Sequence, residues 1–271
     1  MRGLSGDNAP RTEQDTGHGL VSDVCLKRKV RNYVTLAKPN DGRFGIYIRE
    51  GAVLDELNAG FVGEITGNGK TKGKAEKADK TTLADARMKL MTSCYDARTF
   101  GAVMVGDTNL GTQRGPVQLS FGRSILPIIP QRHTITRMAA TKEETRKDGE
   151  AKDNKTMGRK WTVSHAVYRT HGYVSANLAA KTGCTEDDLS LLWEALGNMW
   201  DHDRSAGRGE ISPRALIVWK HASALGNAPA HTLFDRVAVA ANVEVPTKWA
   251  DYGVKVNEDA MPRGVSMSRM I

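Results

Sequence analysis

Two stretches of this chain cannot contribute to a hydrophobic core, and they limit what the rest can fold into. Residues 66–80 read TGNGKTKGKAEKADK, a low-complexity Gly/Lys run, and residues 139–160 carry almost no apolar side chains. A long polar stretch inside a compact domain is functional or lies outside the core. The 271-residue chain is still long enough to bury a sizeable core around them. Helical and strand-like patterns interleave on either side, which predicts an α+β organisation with two polar excursions.

Those excursions also hold much of the positive charge. The chain carries 39 Lys and Arg against 31 Asp and Glu, a formal net of +8. Residues 21–38 have five cations against one acid, residues 66–80 five against two, and residues 137–160 eight against five. Outside these three segments the chain is slightly acidic. Concentrated rather than diffuse positive charge is what a phosphate-tracking groove requires.

Other classes are excluded more simply. No run approaches ~18 apolar residues, so no membrane-spanning helix is expected. The opening residues lack the apolar core of a secretory signal. Cys25, Cys94 and Cys184 lie far apart with no CxxC, so neither a disulfide framework nor a Cys-based zinc site is expected, and a reducing, cytoplasmic location is.

Along the chain, Leu26, Val30, Tyr33, Val34 and Ala37 fall on one face of a helix, with Lys27, Arg28, Lys29 and Arg31 around the rest of it. Phe44–Ile48 reads as a short strand and Ala52–Gly60 as a short helix. Thr82 with Asp85 resembles a capping box opening a helix lined by Leu83, Leu90, Met91, Cys94 and Tyr95. Phe100–Val105 reads as a buried strand. Val117, Leu119 and Phe121 alternate as another, with Pro127 and Pro130 confining the next segment to an edge. Trp161–Asn177 is strand-like. Thr185 caps a helix with Leu189, Leu192, Trp193, Leu196 and Trp200 on one face; Ala215–Trp219 is a last strand, and residues 242–271 show no clear period.

Few motifs carry chemistry. Gly67-Asn-Gly-Lys-Thr71 has the end of a phosphate-binding loop, but Glu64 stands where its first Gly is needed. Trp200–Arg204 places His202 between Asp201 and Asp203, which reads better as a polar helix end with Asp–Arg pairing than as a metal site. No GxSxG or nucleophilic Cys context is present, so no catalytic residue, metal or cofactor is assigned. Arg114 and Arg123 flank a strand holding Gln118, Ser120 and Phe121, a combination suited to phosphate contact and base stacking. Arg204 and Arg208 sit in a Gly-spaced basic turn whose bare N–H groups can approach a phosphate.

Several segments resemble one family. They are Thr16–Val34 (TGHGLVSDVCLKRKVRNYV), Tyr95–Val103 (YDARTFGAV), Gly115–Ser124 (GPVQLSFGRS), His133–Arg137 (HTITR) and the run from Glu194 through His202 to His231. Over about residues 7–240 the chain is similar to the backbone subunit of the type I-C CRISPR surveillance complex, Cascade, in the Cas-seven family. The resemblance implies a modified RRM-like (ferredoxin-like) palm, an inserted finger region and a β-hairpin thumb within a single domain, 1–271. On this pattern 66–80 lies in the finger, 134–160 is the thumb, and 242–271 is a C-terminal segment. On the same pattern, the family's first palm strand is expected to be missing from this sequence.

The implied function is non-catalytic. Copies polymerise along CRISPR RNA with other Cascade subunits, while the guide pairs with target DNA, so that base pairing reads sequence and protein reads backbone. The RNA-binding residues expected are Lys27, Arg28, Lys29, Arg31, Arg114, Gln118, Arg123, Arg137, Met138, Met157, Arg204 and Arg208. Lys70, Lys72 and Lys74 are expected at target DNA. Two other readings fit the residues: a repeat-RNA endoribonuclease using His165 or His171 as acid/base, and a general single-strand-binding module.

Overall fold

The computed structural model describes residues 9–67, 78–138 and 156–271. In chain order its elements are β1 (His18–Val21), α1 (Asp23–Ala37), α2 (Leu54–Thr66), α3 (Lys80–Ser93), α4 (Tyr95–Phe100), β2 (Gly101–Met104), β3 (Gly111–Arg114) and β4 (Val117–Leu119). There follow β5 (Gly122–Pro127), β6 (Gln131–Arg137), β7 (Thr156–Thr162), β8 (Tyr168–Arg169), β9 (Gly172–Val174), α5 (Ala176–Thr182) and α6 (Glu186–Asn198). The chain closes with β10 (Ile217–His221), α7 (Ala230–Phe234), β11 (Val237–Ala241), β12 (Tyr252–Val256) and β13 (Val265–Arg269). Helices interleave with small sheets, so the α+β class holds.

The chain divides into two compact units. The first comprises residues up to Val21, Phe121–Thr170 and Ala238–Lys255. Its three-stranded antiparallel sheet runs β1–β5–β8. Gly19 sits where no side chain fits, because a Cβ there would come 2.4 Å from the Tyr168 hydroxyl. The Gly19 N–H donates to Ser124 Oγ at 2.8 Å, and His18 Nδ1 meets the Ser124 carbonyl at 2.7 Å. β6 and β7 form an antiparallel hairpin of seven residue pairs, from Gln131↔Thr162 to Arg137↔Thr156. The segment between these strands lies outside the described residues.

The second unit comprises Ser22–Ser120, His171–Val237 and Val256–Ile271. Its core gathers Tyr47, Val62, Ala86, Leu90, Met91, Cys94, Ala97, Ala102, Met104 and Leu110 from the loop before α2, from α2, α3 and α4, and from the β2–β3 hairpin. Asn58 is fully buried on α2, accepting from the Tyr47 hydroxyl at 2.9 Å and donating to the Met104 and Thr108 carbonyls. Burial pushes the Cys94 thiol up to about 12, with Asp96 adding to the rise, which leaves an inert core thiol.

All six residues of α4 are buried, Asp96 and Arg98 included. Arg98 pairs with Asp188 of α6 through two contacts, Nε to Oδ2 at 2.9 Å and Nη2 to Oδ1 at 2.6 Å. Its remaining donors go to the carbonyls of Arg43, Met91 and Thr92. A fork so fully matched is the geometry that makes a buried ion pair tolerable. Asp188 also caps α6, accepting from the Thr185 N–H at 2.9 Å. Burial pulls the Asp188 pKa upward, but Arg98, the Thr185 N–H and Arg43 together hold it below its ordinary 3.8.

Several elements differ from their sequence reading. Phe44–Ile48 is not a strand. Its N–H groups at Tyr47 and Ile48 turn inward to the Asp96 carboxylate at 2.7 and 3.0 Å. The extended pattern therefore serves a charge rather than a sheet. α3 begins at Lys80, because Asp79 rather than Thr82 is its cap. On α6 and its C-cap the buried stripe is Asp188, Leu191, Leu192, Ala195 and Met199; it keeps Leu192 of the expected face but leaves Leu189, Trp193 and Leu196 half-buried, while Asp188 turns in to reach Arg98. The strand-like run from Trp161 ends in helix α5, capped by Ser175. The strand expected from Ala215 starts at Ile217 and is not the last, since β11 follows at Val237–Ala241 and residues 242–271 contain β12 and β13. No described helix is long and apolar enough to cross a membrane.

Replacing Asp188 with Ala strands Arg98 without its carboxylate, and we expect a loss of about 3–5 kcal/mol in urea unfolding. A carboxyl held below 3.8 stabilises the fold fully above that value and loses its contribution as pH falls through the lower folded pKa. Acid unfolding of the wild type followed by circular dichroism should therefore show this component below about pH 4. An Asp188→Asn variant should lack it.

Candidate nucleic-acid interface

The two basic segments of the second unit that are farthest apart in sequence lie against each other. α1 is capped by Ser22, whose Oγ accepts from the Cys25 N–H, and it buries Leu26, Val30 and Val34 together with the expected RNA-binding residue Lys29. That orientation directs Lys29 and Tyr33, one turn apart, toward the loop after α6. Lys29 Nζ lies 2.5 Å from Asp203 Oδ2, and Arg208 Nε lies 3.2 Å from the same oxygen. One turn further, the Tyr33 hydroxyl donates to Glu194 at 2.7 Å and its ring lies 5.9 Å from that of His202. Arg204 pairs with Asp201 at 2.8 Å on the exposed side of the loop. The acids of Trp200–Arg204 are thus engaged with cations. Among the described residues no cluster of three or more His, Cys, Asp or Glu has the arrangement of a metal site.

The other cations of α1 also have internal partners. Lys27 pairs with Asp23 at 3.0 Å and the exposed Arg28 with Glu50 at 2.5 Å. Arg31 Nε reaches the buried Asp96 at 2.7 Å. Lys27 and Arg31 both lie over the Phe100 ring, at 5.8 and 5.5 Å. Asp96 therefore fixes Arg31 from one side while collecting the Tyr47 and Ile48 amides on the other. The helix presents oriented, partly neutralised cations rather than a fully free positive circumference.

Arg114 joins this group through the backbone. It is the Cα partner of Gly101 in the β2–β3 ladder, next to Phe100. The chain passes so closely here that a Cβ on Gly115 would come 2.2 Å from the Gly101 nitrogen. Gly101 itself adopts φ +84°, open chiefly to glycine. This pair of glycines explains why RTFGAV and RGPVQ read as they do. Arg114 is exposed, and Gln118 is tied back to the Gly115 carbonyl at 3.1 Å. Lys27, Arg31, Arg114 and Gln118 thus border one junction of α4, β2 and β3, and Lys29, Arg204 and Arg208 sit where α1 meets the loop.

The remaining expected residues belong to the first unit. Arg123 grips Glu13 through Nε at 2.9 Å and Nη2 at 2.8 Å. That hydrogen bond, with one from Thr16, lowers the Glu13 pKa. Arg137 ends β6. Met138 follows it at 73% exposure, and Met157 on β7 is 71% exposed. Met157 pairs with Thr136, two residues before Met138, so both methionines lie on one face of the hairpin. Lys70, Lys72 and Lys74 lie outside the described residues. Reading the sequence missed Asp203, Asp96 and Asp188 as organisers of these cations. Spacing alone carries no signal of an acid so distant from its partner.

A family model described as CRISPR-associated protein Cas7 matches residues 4–257. The chain therefore belongs to the Cas7 family. A curated relative, "CRISPR-associated protein Cas7" of Haloferax volcanii, is 24% identical over 215 residues, covering 71% of this chain. The chain spans 58% of that relative's length. A solved structure, "CRISPR RNA-guided surveillance complex, pre-nicking", is similar with a TM-score of 0.44 and 14% identity, over 78% of this chain and 72% of that one.

If Asp203 holds Lys29 and Arg208 as the distances indicate, Asp203→Asn and Lys29→Met should each destabilise the protein by about 1–3 kcal/mol. The double variant should cost clearly less than the sum, because Lys29 and Asp203 no longer strand one another, while Arg208 loses its carboxylate equally in the Asp203→Asn single variant and in the double. Urea unfolding of the four proteins checks this.

Proposed function

We propose that this chain is a non-catalytic backbone subunit of a type I-C-like Cascade. In this reading, copies of it polymerise along a CRISPR RNA, together with other Cascade subunits, in the cytoplasm. Each copy grips guide phosphates with the cations of α1, the 201–208 loop and the end of β3, leaving guide bases to pair with target DNA. The modified RRM-like palm, the β6–β7 hairpin as thumb and the Gly/Lys segment as finger belong to the same proposal.

The observation that carries it is the convergence on α1. Lys27, Lys29 and Arg31 stand on α1 of a Cas7 family member, Arg208 meets Lys29 at the shared Asp203 with Arg204 in the same loop, and Arg114 is the ladder partner of Gly101, next to the Phe100 ring that Lys27 and Arg31 cover. Oriented cations need less reordering to meet a phosphate than free ones, and Arg forks suit phosphate geometry. The exposed Met138 and Met157 on one face of a hairpin suit insertion between bases. Two facts favour the non-catalytic reading over an endoribonuclease. His171 stacks flat on Phe234 at 4.1 Å and 9°, and His165 packs 5.8 Å from Tyr252, with the Nε2 of each ring buried. A general acid or base needs its nitrogen within reach of the reacting group.

Mass photometry with guide RNAs of increasing length tests the assembly. Mass rising in equal subunit-sized steps, lost at high salt, is the expected result. A single 1:1 complex at every length would leave a plain RNA-binding domain as the better account.

A further inference from the structure

An aromatic cluster in the second unit lies outside the cation groups described above. Phe234 of α7 is surrounded by three rings: His171 stacked on it, Tyr173 edge-on at 5.6 Å and 74°, and Trp219 edge-on at 6.0 Å and 70°. His171 and Tyr173 are two residues apart and so share one face of the extended segment. Within this group Tyr173 is the most outward member, 49% exposed. An aromatic ring packed edge-on against a partner and still half in solvent is held in one orientation without being used up by the core.

Its neighbour on the sheet gives the exposure a direction. In the β4–β9 ladder Tyr173 is the direct partner of Gln118. Directly opposed residues in an antiparallel pair project from the same face with Cβ atoms about 5 Å apart. Gln118 in turn is bonded to the Gly115 carbonyl, adjacent to the exposed Arg114. An exposed ring on β9, the carboxamide opposite it on β4 and a guanidinium four residues before that carboxamide therefore lie close together across one pair of strands. That order suits one nucleotide unit, with its base on the ring and its phosphate toward the arginine.

We propose that Tyr173 is a base-stacking residue, which receives a nucleobase of the single-stranded RNA whose phosphate is held at Arg114. This rests on the RNA-binding reading above and adds a base contact to it. Stacking is tolerant of sequence, since every base has a π-face, so it fits a subunit that must accept any guide. A phenol that carries no charge contributes affinity without contributing to salt dependence.

The test is fluorescence anisotropy of the full chain with a labelled single-stranded RNA and with an abasic sugar-phosphate strand of equal length, across a salt series. Tyr173→Leu keeps an apolar side chain against Phe234, and Tyr173→Phe keeps the ring. The Leu variant should bind the RNA about five- to a hundredfold more weakly. Its salt slope should be unchanged, it should bind the abasic strand as the wild type does, and the Phe variant should behave as wild type. Arg114→Ala should instead lower the salt slope and weaken both strands. Equal binding of RNA by the Leu variant and wild type would overturn the stacking assignment while leaving the RNA-binding reading intact. Equal weakening on RNA and abasic strand would do the same and assign Tyr173 a structural role. Loss of stepwise assembly with RNA affinity retained would overturn it in favour of a contact with a second copy. A wild-type chain that binds neither strand would overturn both readings.

Discussion

The Arg98–Asp188 pair is the contact on which the second unit depends. α4 is only six residues long and wholly buried, and it carries a guanidinium and a carboxylate into the interior. Such charges are tolerable there only when every donor and acceptor is matched. Arg98 meets this demand by drawing together the carboxylate that caps α6 and three backbone carbonyls, those of Arg43, Met91 and Thr92. Asp96, two residues earlier, does the converse by collecting the Tyr47 and Ile48 amides and Arg31. These two side chains thus tie α1, α4, α6 and the loop before α2 to one another.

The same arrangement shapes the proposed interface. Arg31 is oriented by Asp96, and Lys29 and Arg208 by Asp203. A polyanion meeting this surface finds cations already positioned, but some of them already share a carboxylate. Binding must therefore be an exchange of partners as well as a neutralisation. Such a surface gives a moderate attraction per site, and many sites in a row are needed for a firm grip. That property suits a subunit that works in multiple copies along one RNA.

Much of the secondary structure was legible in the sequence, because apolar periodicity is local. α1, α3 and β2 lie close to where their patterns place them. So does the strand around Val117, although β4 ends at Leu119, before Phe121. The errors cluster where a distant charge overrides local pattern. Phe44–Ile48 looks like a strand but wraps Asp96, and α6 buries Asp188 while Trp193 stays half-buried. The cations of the interface were legible as residues, since clustered Lys and Arg stand out in a slightly acidic background. The Asp–Arg pairing at Trp200–Arg204 was legible as well, whereas Asp203 as the partner of Lys29 was not, because the two are separated by most of the chain. Tyr173 was missed for a related reason: its relation to Gln118 exists only through the β4–β9 ladder.

The central claim is that this chain holds a guide RNA as a repeating backbone, and the RNA that travels with it tests this most directly. The chain should be expressed with the RNA encoded beside it, purified as a large assembly, and its bound RNA sequenced. The account predicts one discrete, guide-length population carrying repeat-derived ends and many different spacers. A broad mixture of unrelated cellular RNAs on a monomer, or no RNA at all, would contradict it.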